Sequence, residues 1–154
     1  MSDPTLASTF MMGNFAAEFP ANLRYAKNHM WAERRDQVIR FGFTAYAVRL
    51  LQDVYFLDWS IDADTQIQEK QEIGSIESKK AESSLYAPLA GRLTQFNQEL
   101  LADPSGINLD KYGRGWLFEI ESPHEAPLAV ADYLNHLAAV WEITQRTIKG
   151  QMNE

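Results

Sequence analysis

The order of apolar and polar positions predicts a chain that is mainly β, with helices at two places. Leu23, Tyr25 and Trp31 share one parity, and Val38, Ile39, Phe41 and Phe43 follow a charged turn at Glu33–Asp36. Alternation of this kind predicts two half-buried strands between Pro20 and Phe43. Thr44 is placed to cap a short helix whose inner face is Ala47, Val48, Leu51 and Val54. Tyr55–Trp59 is a dense β-type run, and Ile61–Asp64 is turn-like. The stretch Gly74–Gly91 predicts a hairpin: Ile73 and Ile76 precede a polar tip, Glu77–Ser83, and Leu85, Ala87, Leu89 and Leu93 follow it. Asn97–Leu101 suits one helical turn, Asp103–Gly106 and Tyr112–Gly115 suit turns, and Trp116–Ile120 suits a closing strand.

The two ends read differently. Ser122, Pro123 and Glu125 have the spacing of a helix start, and Gly150 would stop a helix that runs to Lys149, with Pro127 as a kink. Val130, Leu134, Leu137, Trp141 and Ile148 form its apolar seam. Such a seam either packs on the β domain or docks a partner. Residues 1–19 have no sustained period and read as an N-terminal extension, a mobile tail with apolar positions at Phe10, Met11, Met12 and Phe15. The expected organisation is therefore this extension, a domain at 20–121, and a helical extension at 122–154.

Composition narrows the chemistry. At 154 residues, a single domain can bury roughly 68–70% of its unfolded surface and needs no staples. The formal net charge of −7 disfavours nucleic acid and anionic lipid as partners. No apolar run nears the ~20 residues of a membrane span, and the first residues lack a signal-peptide layout. The expectation is a cytoplasmic protein without a membrane or nucleic-acid partner. There is no cysteine, so disulfides and a cysteine nucleophile are excluded. His29, His124 and His136 are scattered, and no metal site is expected. No phosphate-binding, dinucleotide-binding or nucleophile-elbow motif is present. No catalysis by the chain alone is expected from this inventory, and Lys79 and Lys80 sit at the apex of the hairpin, pointing into water.

The string Glu77-Ser78-Lys79-Lys80-Ala81, with Leu85-Tyr86-Ala87-Pro88 and Gly91, resembles the lipoyl-attachment hairpin of glycine cleavage system H proteins. Other matches keep the same order: Pro20, Leu23 and Tyr25; His29 and Trp31; Gly42-Phe43-Thr44 with Tyr46-Ala47; Asp53-Val54; and Asn108, Asp110, Tyr112-Gly113 and Gly115-Trp116-Leu117. The resemblance spans residues 20–121. It implies a barrel-sandwich hybrid of the lipoyl type, with a short internal helix and a long C-terminal one. It also implies a lipoyl group in amide linkage to Lys80. Glu77, Lys79, Ala81 and Glu82 become recognition residues around it, and His29, Met30 and Asp110 a possible cleft for the arm. The dithiolane would exchange between disulfide and dithiol, and its tether would raise the cargo's effective concentration at each partner.

Some positions depart from the family pattern. Met30 stands where the family has a carboxylate that holds the aminomethyl cargo. A charged hydrogen bond contributes about 1.5–3 kcal/mol, and a thioether replaces it poorly. The charged tip and the long C-terminal helix depart as well. These features are similar to the lipoate-binding proteins of bacterial sulfur oxidation. They imply sulfur as cargo, with a lipoate–protein ligase, dihydrolipoyl dehydrogenase and a heterodisulfide-reductase-like complex as partners. The alternative implied by the same resemblance is an H protein that serves the glycine cleavage enzymes. An unmodified interaction scaffold and a relay of lipoyl groups are further alternatives.

Overall fold

Strand β1, Ala7–Met12, and strand β2, Phe15–Pro20, form an antiparallel hairpin where the sequence suggested a tail. The computed structural model describes residues 6–152, with side chains as far as Arg146. Residues 1–5 of the expected tail lie outside the described residues, as does the side chain of Ile148 of the expected seam. The hairpin turns at Gly13-Asn14, and Gly13 adopts φ +64, which glycine reaches at no steric cost. Met12, Ala17 and Phe19 are buried while Met11, Ala16 and Glu18 are exposed. A strand alternation is therefore present, but the Met, Ala and Ser at its positions blunt the contrast that periodicity detects.

The main β domain follows. Strands β3 (Arg24–Tyr25), β4 (Met30–Arg35) and β5 (Val38–Phe43) lead to helix α1 (Ala45–Leu51), and β6 is Val54–Trp59. Strands β7 (Thr65–Ile67), β8 (Glu72–Ser78), β9 (Glu82–Tyr86) and β10 (Gly91–Phe96) come next. Two short helices, α2 (Gln98–Ala102) and α3 (Gly106–Leu109), precede β11 (Phe118–Glu121). A six-stranded sheet has the order β3-β4-β5-β11-β10-β7, and a three-stranded sheet has the order β6-β8-β9. Ile39, Phe41, Ile73, Ile76, Leu93, Phe118 and Ile120 fill one core cluster with residues from both sheets. A Cβ at Gly74 would collide with the Asp58 backbone carbonyl, so only glycine permits the close pairing of β6 and β8 there. Thr44 caps α1 as expected, its side chain accepting from the Ala47 amide.

The C-terminal helix corrects two expectations. Helix α4 is Val130–Met152, so it starts later than Ser122 and continues past Gly150. Ser122 instead accepts from the His124 amide just after β11. The Tyr25 amide donates to Leu128 O (2.8 Å) and the Leu128 amide donates to Tyr25 O (3.0 Å). Arg24 donates to the carbonyls of Ala126 and Pro127. These bonds hold 126–128 extended, and a residue before proline disfavours the helical region in any case. The seam packs inward. Tyr133 and Leu137 are buried with Phe19, Tyr25, Trp31, Ala45 and Tyr46 in a second core cluster, and Leu134 and Trp141 pack against it. No helix among the described residues is long and apolar enough to cross a membrane.

Candidate functional site

The tip between β8 and β9 is a two-residue turn. Glu77 pairs with Glu82, and the Ser78 amide donates to Ala81 O (2.8 Å). Lys79 and Lys80 therefore stand at the apex, and both are exposed. Neither adopts positive φ, so the turn does not use the glycine-rich geometry common in tight hairpins. A side chain holds it instead. The buried Ser78 Oγ accepts from the amides of Lys80 (3.3 Å) and Ala81 (3.1 Å). The Lys79 amide donates to Asp53 O (2.9 Å), which ties the apex to the segment before β6. Among the described residues neither lysine has an ion-pair partner. The tip thus has a fixed base and free ammonium groups.

Beside it lies an apolar groove of about 280 Å³. Met30, Phe43, Leu50 and Leu51 form one wall, and Ile76 and Ser83–Tyr86 of the tip hairpin form the other. His29 and Met30, neighbours in the chain, both line it. Asp110 is not with them. Its carboxylate accepts from the Arg114 amide (3.0 Å), and it lines a separate depression with Glu99 and Arg114. The turn 110–115 has folded around that carboxylate, so it is not placed to replace an acid at position 30. The groove lining contains no carboxylate. Asn28 Nδ2 donates to Tyr86 O (3.1 Å) and approaches Met30 Sδ (3.8 Å).

His29 connects the groove to the second core. Its backbone is left-handed, φ 69, in a turn where the His29 amide donates to Ala26 O. Its Nδ1 lies 3.0 Å from Tyr133 Oη, which lies 2.9 Å from Thr44 Oγ1. The chain can run in either sense: Thr44 donates to Tyr133 and Tyr133 to Nδ1 when the proton is on Nε2, and the sense reverses when it is on Nδ1. Burial pushes His29 down to about 4, and the nearby His136 adds to the effect. Near neutral pH the ring is uncharged. Burial also raises Tyr133 well above the ordinary phenol range. Sequence reading missed Tyr133 and the role of Ser78. Tyr133 was legible as the residue four before Leu137 on the same helical face, but a seam drawn from aliphatic and Trp positions passes over it.

A family model described as "Glycine cleavage H-protein" matches residues 23–145. The chain belongs to the glycine cleavage H-protein family. The match continues beyond residue 121 into α4, so the family covers most of that helix as well. A probable glycine cleavage system H protein of Natronomonas pharaonis is 37% identical over 124 residues, 79% of this chain and 98% of that one. A glycine cleavage system H protein of Mycolicibacterium gilvum is 38% identical over 107 residues, 69% of this chain and 81% of that one. The crystal structure of the H protein from Mycobacterium marinum superposes with TM-score 0.70 at 27% identity, over 78% of this chain and 99% of that chain. The barrel-sandwich fold of the family is therefore the fold of this chain. These relatives favour the glycine-cleavage alternative over the sulfur reading.

Proposed function

We propose that the chain is a lipoyl carrier of the H-protein type, acylated on Lys80, that passes a cargo between partner enzymes and catalyses nothing alone. The observation that carries this reading is the tip: Lys80 is exposed, has no ion-pair partner among the described residues, and sits on a turn fixed by Ser78. Lipoate suits these residues, since an acyl chain needs an accessible lysine at its base and an apolar surface to rest on. When attached, the group supplies a dithiolane that cycles between disulfide and dithiol. The protein's part is to hold the base, leave the lysine reachable, and offer a groove that excludes water from a resting arm.

Family membership supports the aminomethyl group as cargo, with the glycine cleavage enzymes as partners and dihydrolipoyl dehydrogenase to reoxidise the dithiol. A second reading is favoured by the groove. Met30 and an uncharged lining give no counter-ion to an ammonium, whereas a sulfur species needs none. In that reading the partner is a heterodisulfide-reductase-like complex.

Incubation with lipoate, ATP and a lipoate–protein ligase tests the carrier. One lipoyl adduct is expected on wild type and on Lys79→Arg, and none on Lys80→Arg, read by intact mass. An adduct that persists in Lys80→Arg rejects the assignment. Loaded protein supplied to glycine decarboxylase and aminomethyltransferase then decides the cargo. Robust turnover supports the glycine reading, and its absence supports the sulfur one.

A further inference from the structure

An acylating enzyme must choose between Lys79 and Lys80, which are adjacent and both exposed. Within the turn they differ in their backbone bonds, Lys79 to the Asp53 carbonyl and Lys80 to Ser78 Oγ. A surface outside the turn would add to that selection by fixing the register of the enzyme. Such a surface adjoins the tip. A β-bulge between Val54 and Phe56 breaks the alternation of β6, so that two consecutive aromatic residues face solvent: Tyr55 is 61% exposed and Phe56 is 46% exposed. Bulges of this kind re-aim side chains and are common next to active sites. Leu109, at 82% the most exposed large apolar residue among the described residues, is held nearby. Its neighbour Asn108 accepts from the Val54 amide (2.9 Å) and donates to Gln52 O (2.6 Å). Asp53, between them, takes the bond from the Lys79 amide. The backbone segments that carry Tyr55 and Leu109 are thus both tied to the base of the tip, and Leu109 also lines the depression with Glu99 and Arg114.

Its rim is acidic. Phe56 pairs with Glu77, and Glu77 pairs with Glu82. Like charges directly opposite on a sheet are destabilising, so this pair costs the fold something. Asp53, Asp58, Glu77, Glu82 and Glu99 have no ion-pair partner among the described residues; Lys79 and Lys80 stand between Glu77 and Glu82, and Arg114 lies beside Glu99. We propose that Tyr55, Phe56 and Leu109 form the docking surface for the enzyme that acylates Lys80, through an apolar ridge flanked by Lys and Arg. This rests on Lys80 being the attachment lysine. In the step served, Nζ of the neutral lysine attacks the carbonyl of an acyl adenylate. The amide C–N bond forms, the C–O bond to AMP breaks, and Nζ releases a proton.

The test uses the full chain with a lipoate–protein ligase, lipoate and ATP. Tyr55→Ser and Leu109→Ser are assayed singly, with Tyr55→Phe and Leu109→Met as conservative partners, and circular dichroism verifies folding. Each serine variant is expected to raise KM for the carrier about tenfold, with kcat within about twofold, and to shift part of the adduct to Lys79. The conservative variants should restore both. Unchanged KM and site choice in folded serine variants overturn the docking surface, while the Lys80 adduct still stands. No adduct on wild type overturns both. The two residues lie on different elements, so a fold defect in one variant leaves the other decisive.

Discussion

Among the described residues three hairpins have two-residue tips, β1–β2, β4–β5 and β8–β9, and the first and last are built by opposite means. The N-terminal one, β1–β2, is held from below. Its inward residues Met12, Ala17 and Phe19 are buried, Phe19 packs edge-on against Tyr25 and Tyr133, and a left-handed glycine makes the turn. The tip hairpin, β8–β9, is anchored by Ile76 and Leu85 at its base and stands free at its apex. There the turn is held by Ser78 and by the Asp53 carbonyl. Apolar burial fixes an element where function asks only for position. Local polar bonds fix an element that must keep its side chains available. The first hairpin also covers the cluster through which Tyr133 reaches His29, so it supports the groove without lining it.

If that division is right, the two hairpins respond to substitution on different scales. The largest effect is expected at Phe19. Phe19→Ala removes a fully buried ring between Tyr25 and Tyr133 and should cost about 3–5 kcal/mol in urea unfolding. The lipoyl adduct on Lys80 should still form in the fraction that is folded. A cost under about 1 kcal/mol would mean that the N-terminal hairpin is an ornament on the carrier domain and not part of its core.

The next effect concerns the junction of the two regions. His29 is held near 4 in the folded protein and returns to about 6.5 when unfolded. Between these values the unfolded chain binds more protons, so stability rises with pH across the interval. It is fully present above about 6.5 and is lost as pH falls to about 4, a loss on the order of 3 kcal/mol at 1.36 kcal/mol per pKa unit. His29→Gln should flatten the unfolding free energy over that window. A wild-type profile already flat between pH 4 and 6.5 would remove His29 from the buried network.

The carrier domain was legible because its signals are local. The Thr44 cap, the Tyr55–Trp59 run and the polar tip each announce themselves within a few residues, and the family motifs fix their order. The proposed choice of Lys80 over Lys79 rests on the register of Glu77 to Pro88, since the sequence offers no other difference between two neighbouring lysines. What escaped was the second core, because its parts are far apart in sequence. Phe19, Tyr25, Tyr46 and Tyr133 meet only after folding, and Tyr133 has a polar group that a search for apolar periodicity discounts. The start of α4 was misplaced for a related reason. Ser122 and Pro123 are a correct local start signal, but Tyr25 and Arg24 claim the backbone of 126–128 first. Asp110 was misassigned because its motif carries a turn, and the carboxylate closes that turn through the Arg114 amide.

The smallest effect is expected at the tip. Ser78→Ala leaves the β8–β9 ladder intact but takes the acceptor from the amides of Lys80 and Ala81. Each such bond contributes about 0.5–1.5 kcal/mol net. The amides gain some water in exchange, so the total cost in urea should be about 1–2 kcal/mol, well below that of Phe19→Ala. The more telling consequence is kinetic. A turn held by side-chain bonds and not by glycine relaxes once they are gone, so Lys80 samples more orientations relative to the anchored Lys79. Acylation should then slow, with part of the adduct appearing on Lys79 in peptide mass spectrometry. Ser78→Thr, which keeps the hydroxyl, should restore the wild-type site ratio. If Ser78→Ala acylates on Lys80 alone at the wild-type rate, the polar bonds serve only stability, and the contrast between the two hairpins reduces to one of burial.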